Sequence, residues 1–399
     1  MENKIQDNLD ISENNLEDLS KNNFLDIILL SSGTLINTSK QIINDIVNLI
    51  DTSNNHTENI VDLSNNNLDT SFNNIDTSFN NLDTSFNNLD TSFNNIDTSF
   101  NNHDLSVNNL KDKITCLCFS GGGVKGISYI GALEELEKNE IINLNNINIY
   151  CGTSVGSMYS FLLNIGLSII EIKDFIIAFN FSKLAGEVDC INFFENFGIN
   201  NGERVKYIFI KFIEIKYNKK DITFLELYEI TKKKIIIIGT NLTDCKEEVF
   251  SVDLTPNFSV ITAIRISMSV PVIFTPVKID NIVYVDGGIL NNFPINHCPE
   301  NKTLGLYIKN SKKNDIKSIQ NLITSCFAIV GDSISEKTIS DINKLSTKEC
   351  LNKYKKLVIK IENPKFEYTK FDLSIEFKNN LIELGVNTIK EFIKKLDKD

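Results

Sequence analysis

Residues Ile149–Leu163 read "IYCGTSVGSMYSFLL", and this stretch decides the fold. A short apolar strand runs into a serine flanked at two residues by glycines, and a helical pattern starts at once. Gly152-Thr153-Ser154-Val155-Gly156 is therefore G-x-S-x-G in the strand–turn–helix context that this motif requires. A serine on so tight a turn has strained backbone angles, and side chains at Gly152 and Gly156 would collide with the neighbouring strand and helix. The turn aims the Ser154 hydroxyl outward at a helix N-terminus, where backbone dipoles favour negative charge.

The same grammar recurs on both sides. Upstream, "ITCLCFS" (residues 114–120) is a continuous apolar run that ends in Gly121-Gly122-Gly123 and opens a helix with Ile127, Ile130, Leu133 and Leu136 at helical spacing. Downstream, "KKIIIIGTNL", "NIVYVDGG" and "KTLGLYIKN" read as further buried strands. Strands without polar alternation, interleaved with helices, indicate an α/β domain: a mostly parallel central sheet flanked by helices, three layers deep. Such sheets place their chemistry in loops beyond the carboxyl ends of the strands. The domain is expected to span 113–310, with a lysine-rich helical extension over 311–399 that packs on it.

The N-terminal part differs in kind. Residues 1–112 hold 18 acids and 4 lysines, net −14; the total of 52 acids and 40 bases leaves 34 acids and 36 bases, net +2, for the remainder. No clustered basic face suggests nucleic acid as a partner. Residues 1–57 form an acidic segment with amphipathic helical patterning, and 58–110 a heptad repeat with five copies of "[LI]DTSFNN" between Leu68 and Asn102. Phe and Leu/Ile at spacings of three and four make one helical stripe, whereas Asp, Thr, Ser and Asn elsewhere are poor helix formers. The stalk is thus either a coiled coil stabilised by homo-oligomerisation or a disordered tether. The start of the chain lacks a basic region with an apolar core, and no run of about 18 apolar residues occurs. A cytoplasmic protein that meets membranes only from outside is expected.

The polar inventory narrows the chemistry. A serine needs a base to become a nucleophile, and of the three histidines His56 and His103 lie in the N-terminal segment and repeat. His297, in the polar loop "PINHCPEN", reads as a surface residue. Asp286 ends the apolar run Ile282–Val285 and is followed by two glycines, which fits either a turn or a second catalytic group. Ser120-Gly121-Gly122-Gly123-Val124-Lys125-Gly126 exposes successive backbone N–H groups, lacks the Gly-Lys-Ser/Thr of a nucleotide loop, and suits the oxyanion of an acyl intermediate. Eight cysteines, without a C-x-x-C pair and with so few histidines, read as reduced thiols and not as a zinc site. No metal and no cofactor are expected.

Four ordered blocks, "GGGVKG" (121–126), "GTSVG" (152–156), "SMSVPVIFTPV" (267–277) and "VDGG" (285–288), resemble the patatin-like phospholipase family over about Ile114–Lys309. The resemblance implies a serine lipid acyl hydrolase with Ser154 as nucleophile, Asp286 as proton acceptor, and an oxyanion hole drawn from Gly121, Gly122, Gly123, Lys125 and Gly126. It implies membrane lipid or a lipid aggregate as substrate. Lys125 stands where the family commonly has arginine, and Ser120 where an aspartate often precedes the glycines. Two other functions share these residues: an acyltransferase that excludes water, and an inactive structural protein whose repeat is the working part.

Overall fold

A computed structural model of the chain describes residues 110–181, 190–310, 319–344, 356–363 and 373–396. The segment expected at 1–57, and all but the last residue of the one expected at 58–110 with its heptad repeat, lie outside the described residues.

Five parallel strands form the body of an eight-stranded sheet: β1 (Cys116–Phe119), β2 (Ile149–Thr153), β4 (Lys234–Asn241), β9 (Thr303–Asn310) and β10 (Leu357–Asn363), in the spatial order β10-β9-β1-β2-β4. The antiparallel strands β5 (Lys246–Ser251), β7 (Val277–Ile279) and β8 (Ile282–Asp286) complete it beyond β4, and β3 (Gly198–Asn200) pairs separately with β6 (Val272–Phe274). Strand β10, within a tail whose sequence reads as helical, was not foreseen.

Each parallel strand is apolar on both faces because each face has its own cover. Leu117, Phe119, Tyr150, Ile235, Ile237, Leu306 and Ile361 point to the larger core. It is closed by helices α1 (Ser128–Lys138), α2 (Val155–Asn164), α3 (Ile169–Ala178), α5 (Glu203–Tyr217), α7 (Val260–Ser267) and α9 (Ile375–Leu396). Two shorter helices, α4 (Cys190–Asn196) and α6 (Phe224–Thr231), lie between these. The alternate residues Cys116, Cys118, Cys151 and Tyr307 point the other way. They pack under the loop holding Phe293 and Ile295 and under α8 (Ile319–Lys344) through Ile339. Three layers result, as the sequence predicts.

The tail is bound in closely. Gly131 of α1 and Gly385 of α9 let the two helices touch backbone to backbone: a Cβ on Gly131 would strike the Ile382 carbonyl, and one on Gly385 the Ser128 carbonyl. Lys378 donates to the carbonyls of Ile177 at 2.9 Å and Phe179 at 2.6 Å, which caps the end of α3.

Candidate active site

Strand β4 sets the geometry of the site. Its residues 234–238 pair with β2, and 239–241 pair with β8 running the opposite way, while β5 occupies 236–241 on the other edge. The carboxyl ends of β2 and β8 therefore face each other on one edge of β4: Thr153 lies beside Ile238 and Asp286 beside Gly239. Ser154 follows Thr153 directly, so two residues 132 positions apart come together through consecutive positions of a third strand. On the far side of β2, β1 is in parallel register with Phe119 beside Gly152, which brings the loop Ser120–Gly123 next to the serine turn.

Ser154 sits at φ 54° and ψ −124°, in the left-handed half of φ that a residue with a Cβ rarely adopts. The turn is held on three sides. The Ser154 N–H donates to Ser267 Oγ at 2.9 Å, Ser157 Oγ donates to the Ser154 carbonyl at 2.6 Å, and Thr153 Oγ1 donates to the Asn291 carbonyl at 2.8 Å. A Cβ on Gly156 would strike the Phe119 carbonyl, and one on Gly152 the Gly156 backbone, so both glycines exist for close approach.

Asp286 is buried, and only one carboxylate oxygen is matched: Oδ1 accepts the Gly288 N–H at 2.7 Å, while Oδ2 has no partner among the described residues. Burial pushes its carboxyl up to about 7, against the opposing pull of the Ser154 hydroxyl and the Gly288 amide, which favour the charged form. The Ser154 hydroxyl is near enough to favour the charged carboxylate, and Oδ2 has no hydrogen-bond partner among the described residues. The Asp286 N–H donates to the Ser269 carbonyl at 3.0 Å. The end of α7 and the turn after it thus grip both strand ends, Ser154 through Ser267 and Asp286 through Ser269.

In the glycine loop, the Gly121 N–H is taken by the Asn292 carbonyl at 2.9 Å and the Lys125 N–H by the Gly122 carbonyl at 3.2 Å. Gly122 and Gly123 open the 3-10 turn Gly123–Ile127, and their N–H groups have no acceptor among the described residues. Gly123 has φ 55°. Lys125 is buried, its ammonium lowered to about 8 by desolvation, with Asp332 of α8 opposing that shift. Ser120 is buried as well; its Oγ accepts the Ile308 N–H at 2.9 Å and lies 3.0 Å from the Tyr129 hydroxyl, so it ties the loop to β9.

Gly121, Gly122, Gly123, Ser154 and Asp286 line one cavity of about 170 Å³, with Met158, Met268, Ile273 and Phe274 among its apolar walls and Phe327 and Ala328 of α8 over it. Gly126 is not among the lining residues. Of the apolar residues around the two motifs, Met158 and Ile289 line the cavity, whereas Phe161 and Phe293 are core. His297 stands apart, 2.8 Å from Glu247 Oε1, and does not line the cavity. Ser267 and Ser269 stand out in the sequence only as part of the block 267–277. Their grip on the two strand ends appears only once α7 is placed. Arg265 was also missed: it is buried and donates to Ser269 Oγ and to the carbonyls of Asn201 at 2.7 Å and Thr275 at 2.9 Å, which braces that turn.

The family model described as patatin-like phospholipase matches residues 117–298. "Uncharacterized protein R571" of Acanthamoeba polyphaga mimivirus is 31% identical over 293 residues, 72% of this chain and 96% of that one. "Probable lipid hydrolase 463L" of Invertebrate iridescent virus 6 is 34% identical over 208 residues, 50% of this chain and 67% of that one. Among solved structures, VipD from Legionella pneumophila is similar at 19% identity and a TM-score of 0.44, covering 72% of this chain and 67% of that one. The chain belongs to the patatin-like phospholipase family. It is a lipid ester hydrolase of that family.

Proposed function

We propose that Ser154 and Asp286 act as a catalytic dyad through an acyl-enzyme. The observation that supports this best is a buried carboxylate with one unmatched oxygen beside an elbow serine on the floor of an apolar cavity. An ordinary carboxylate is too weak a base for a hydroxyl, and burial to about 7 brings Asp286 into the working range.

The ester carbonyl of an acyl lipid enters above Ser154. The Ser154 hydroxyl gives its proton to Asp286 as Oγ bonds the carbonyl carbon, and the oxyanion accepts from the Gly122 and Gly123 amides. Gly121, Lys125 and Gly126 shape the loop that presents them. The proton on Asp286 passes to the departing lysolipid oxygen. Water then gives a proton to Asp286 and attacks the acyl-enzyme, and the fatty acid leaves as the proton returns to Ser154 Oγ. The substrate is a phospholipid or related acyl lipid, consistent with the apolar cavity wall and with the printed name of the iridescent-virus relative. The lipid is met at the surface of a membrane or aggregate; no helix among the described residues is long and apolar enough to cross a membrane. Residues 113–310 serve as the catalytic unit.

Hydrolysis of a panel of phospholipids and neutral lipids by wild type, Ser154→Ala and Asp286→Ala tests this reading. Fatty-acid release by wild type with loss of at least about 100-fold in both variants is expected. Full activity of either folded variant overturns the dyad.

A further inference from the structure

The geometry points to a structural site for one thiophilic metal ion, of the zinc class, held by Cys118, Cys151 and Cys298 with Cys116 as fourth ligand. The sequence shows no ligand pattern, because the donors come from three distant segments. Cys116 and Cys118 alternate on β1, Cys151 lies directly beside Cys118 on β2, and Cys298 ends the loop that follows Asp286.

The three sulfurs of Cys118, Cys151 and Cys298 lie within 4.8 Å of one another, and Cys116 packs in the same buried cluster. A tetrahedral ion with metal–sulfur bonds of about 2.3 Å sets sulfur–sulfur separations of about 3.8 Å, so the Cys118, Cys151 and Cys298 sulfurs need to shift by about 1 Å or less, and Cys116 turns in from the same face of β1. Cys151 and Cys298 already converge, since both thiols donate to the Pro294 carbonyl, at 3.5 and 3.8 Å. An all-sulfur set selects soft ions over magnesium, calcium or manganese.

All four cysteines are buried under Phe293, Ile295, Tyr307 and Ile339, which leaves no path for a bound water and makes the site closed and structural. Binding displaces the thiol protons to solvent, and Lys356, within electrostatic reach of Cys116, offsets part of the remaining negative charge. The ion would fasten together the ends of β1 and β2 and the loop after β8, which are the segments that present the glycine loop, Ser154 and Asp286. It takes no part in the reaction.

The full chain is expressed with zinc in the medium, dialysed, and its metal content measured. About one zinc per chain is expected. Replacement by cadmium should produce thiolate-to-metal charge-transfer absorption. Cys151→Ser and Cys298→Ser should each lower retained metal by about tenfold or more, while Cys245→Ser, at an exposed cysteine outside the cluster, should retain it like wild type. Folded wild type that retains neither zinc nor cadmium, with four reduced thiols or a disulfide found by mass spectrometry, overturns the site. This outcome is independent of lipid hydrolysis, so the two readings fail separately.

Discussion

Replacing Asp286 by asparagine should make the protein more stable and nearly inactive, and the stability gain should grow with pH. The ordinary carboxyl value of 3.8 rises to about 7 in the fold. Between those values the folded state holds a proton that the unfolded chain has released, so stability falls as pH rises. The cost is absent below about pH 4, accumulates through about 7, and is complete above it. A difference of about three units corresponds to about 4 kcal/mol at most. The substituted side chain can still accept the Gly288 N–H through its carbonyl, and its amide removes the ionisation. Thermal unfolding of wild type and Asp286→Asn at pH 5 and pH 8.5 reads this out. The variant should gain on the order of 10 °C relative to wild type at pH 8.5 and much less at pH 5. Its hydrolysis should fall by about 10²–10⁴-fold, and the wild-type rate should climb with pH to a plateau above about 7. Equal stability of the two proteins at pH 8.5, with parallel pH dependence, refutes the desolvated-carboxylate account.

Three other outcomes follow from single contacts. Ser267→Ala leaves the Ser154 N–H without its acceptor, so urea titration should show a loss of about 1–3 kcal/mol, with kcat down and KM little changed. Gly156→Ala drives a methyl into the Phe119 carbonyl and should cost about 3 kcal/mol or more by the same titration, with loss of activity. Ala328→Trp on α8 narrows the cavity, so KM for long-chain esters should rise about tenfold while a short-chain ester is hydrolysed at close to the wild-type rate.

Much of this site was legible before any coordinates, because its parts are local. The strand–elbow–helix pattern at 149–163, the glycines at 121–123 and the carboxylate ending an apolar strand each have a signature within 15 residues. The near-absence of histidine removed the usual base and left Asp286. What the sequence hid depends on which strands become neighbours. That β8 runs antiparallel, on the edge of β4 that β2 vacates, cannot be read from "IVYVDGG", yet it is what sets Asp286 beside Ser154. Ser267 and Arg265 act through a turn that only packing brings under the elbow. Strand β10 is set in a lysine-rich tail, so its apolar alternation is masked by the helical pattern around it. The four cysteines were visible singly and uninformative until β1 and β2 were placed in register.

The central claim is that Ser154 is an activated nucleophile, and covalent labelling tests it most directly. The full-length protein is treated with a fluorophosphonate, and the adduct is located by intact mass and peptide mapping. A single adduct on Ser154 in wild type, none in Ser154→Ala and a labelling rate much reduced in Asp286→Asn are the predicted results. A folded wild-type protein that takes no label at Ser154 while releasing fatty acid from phospholipid would contradict the account.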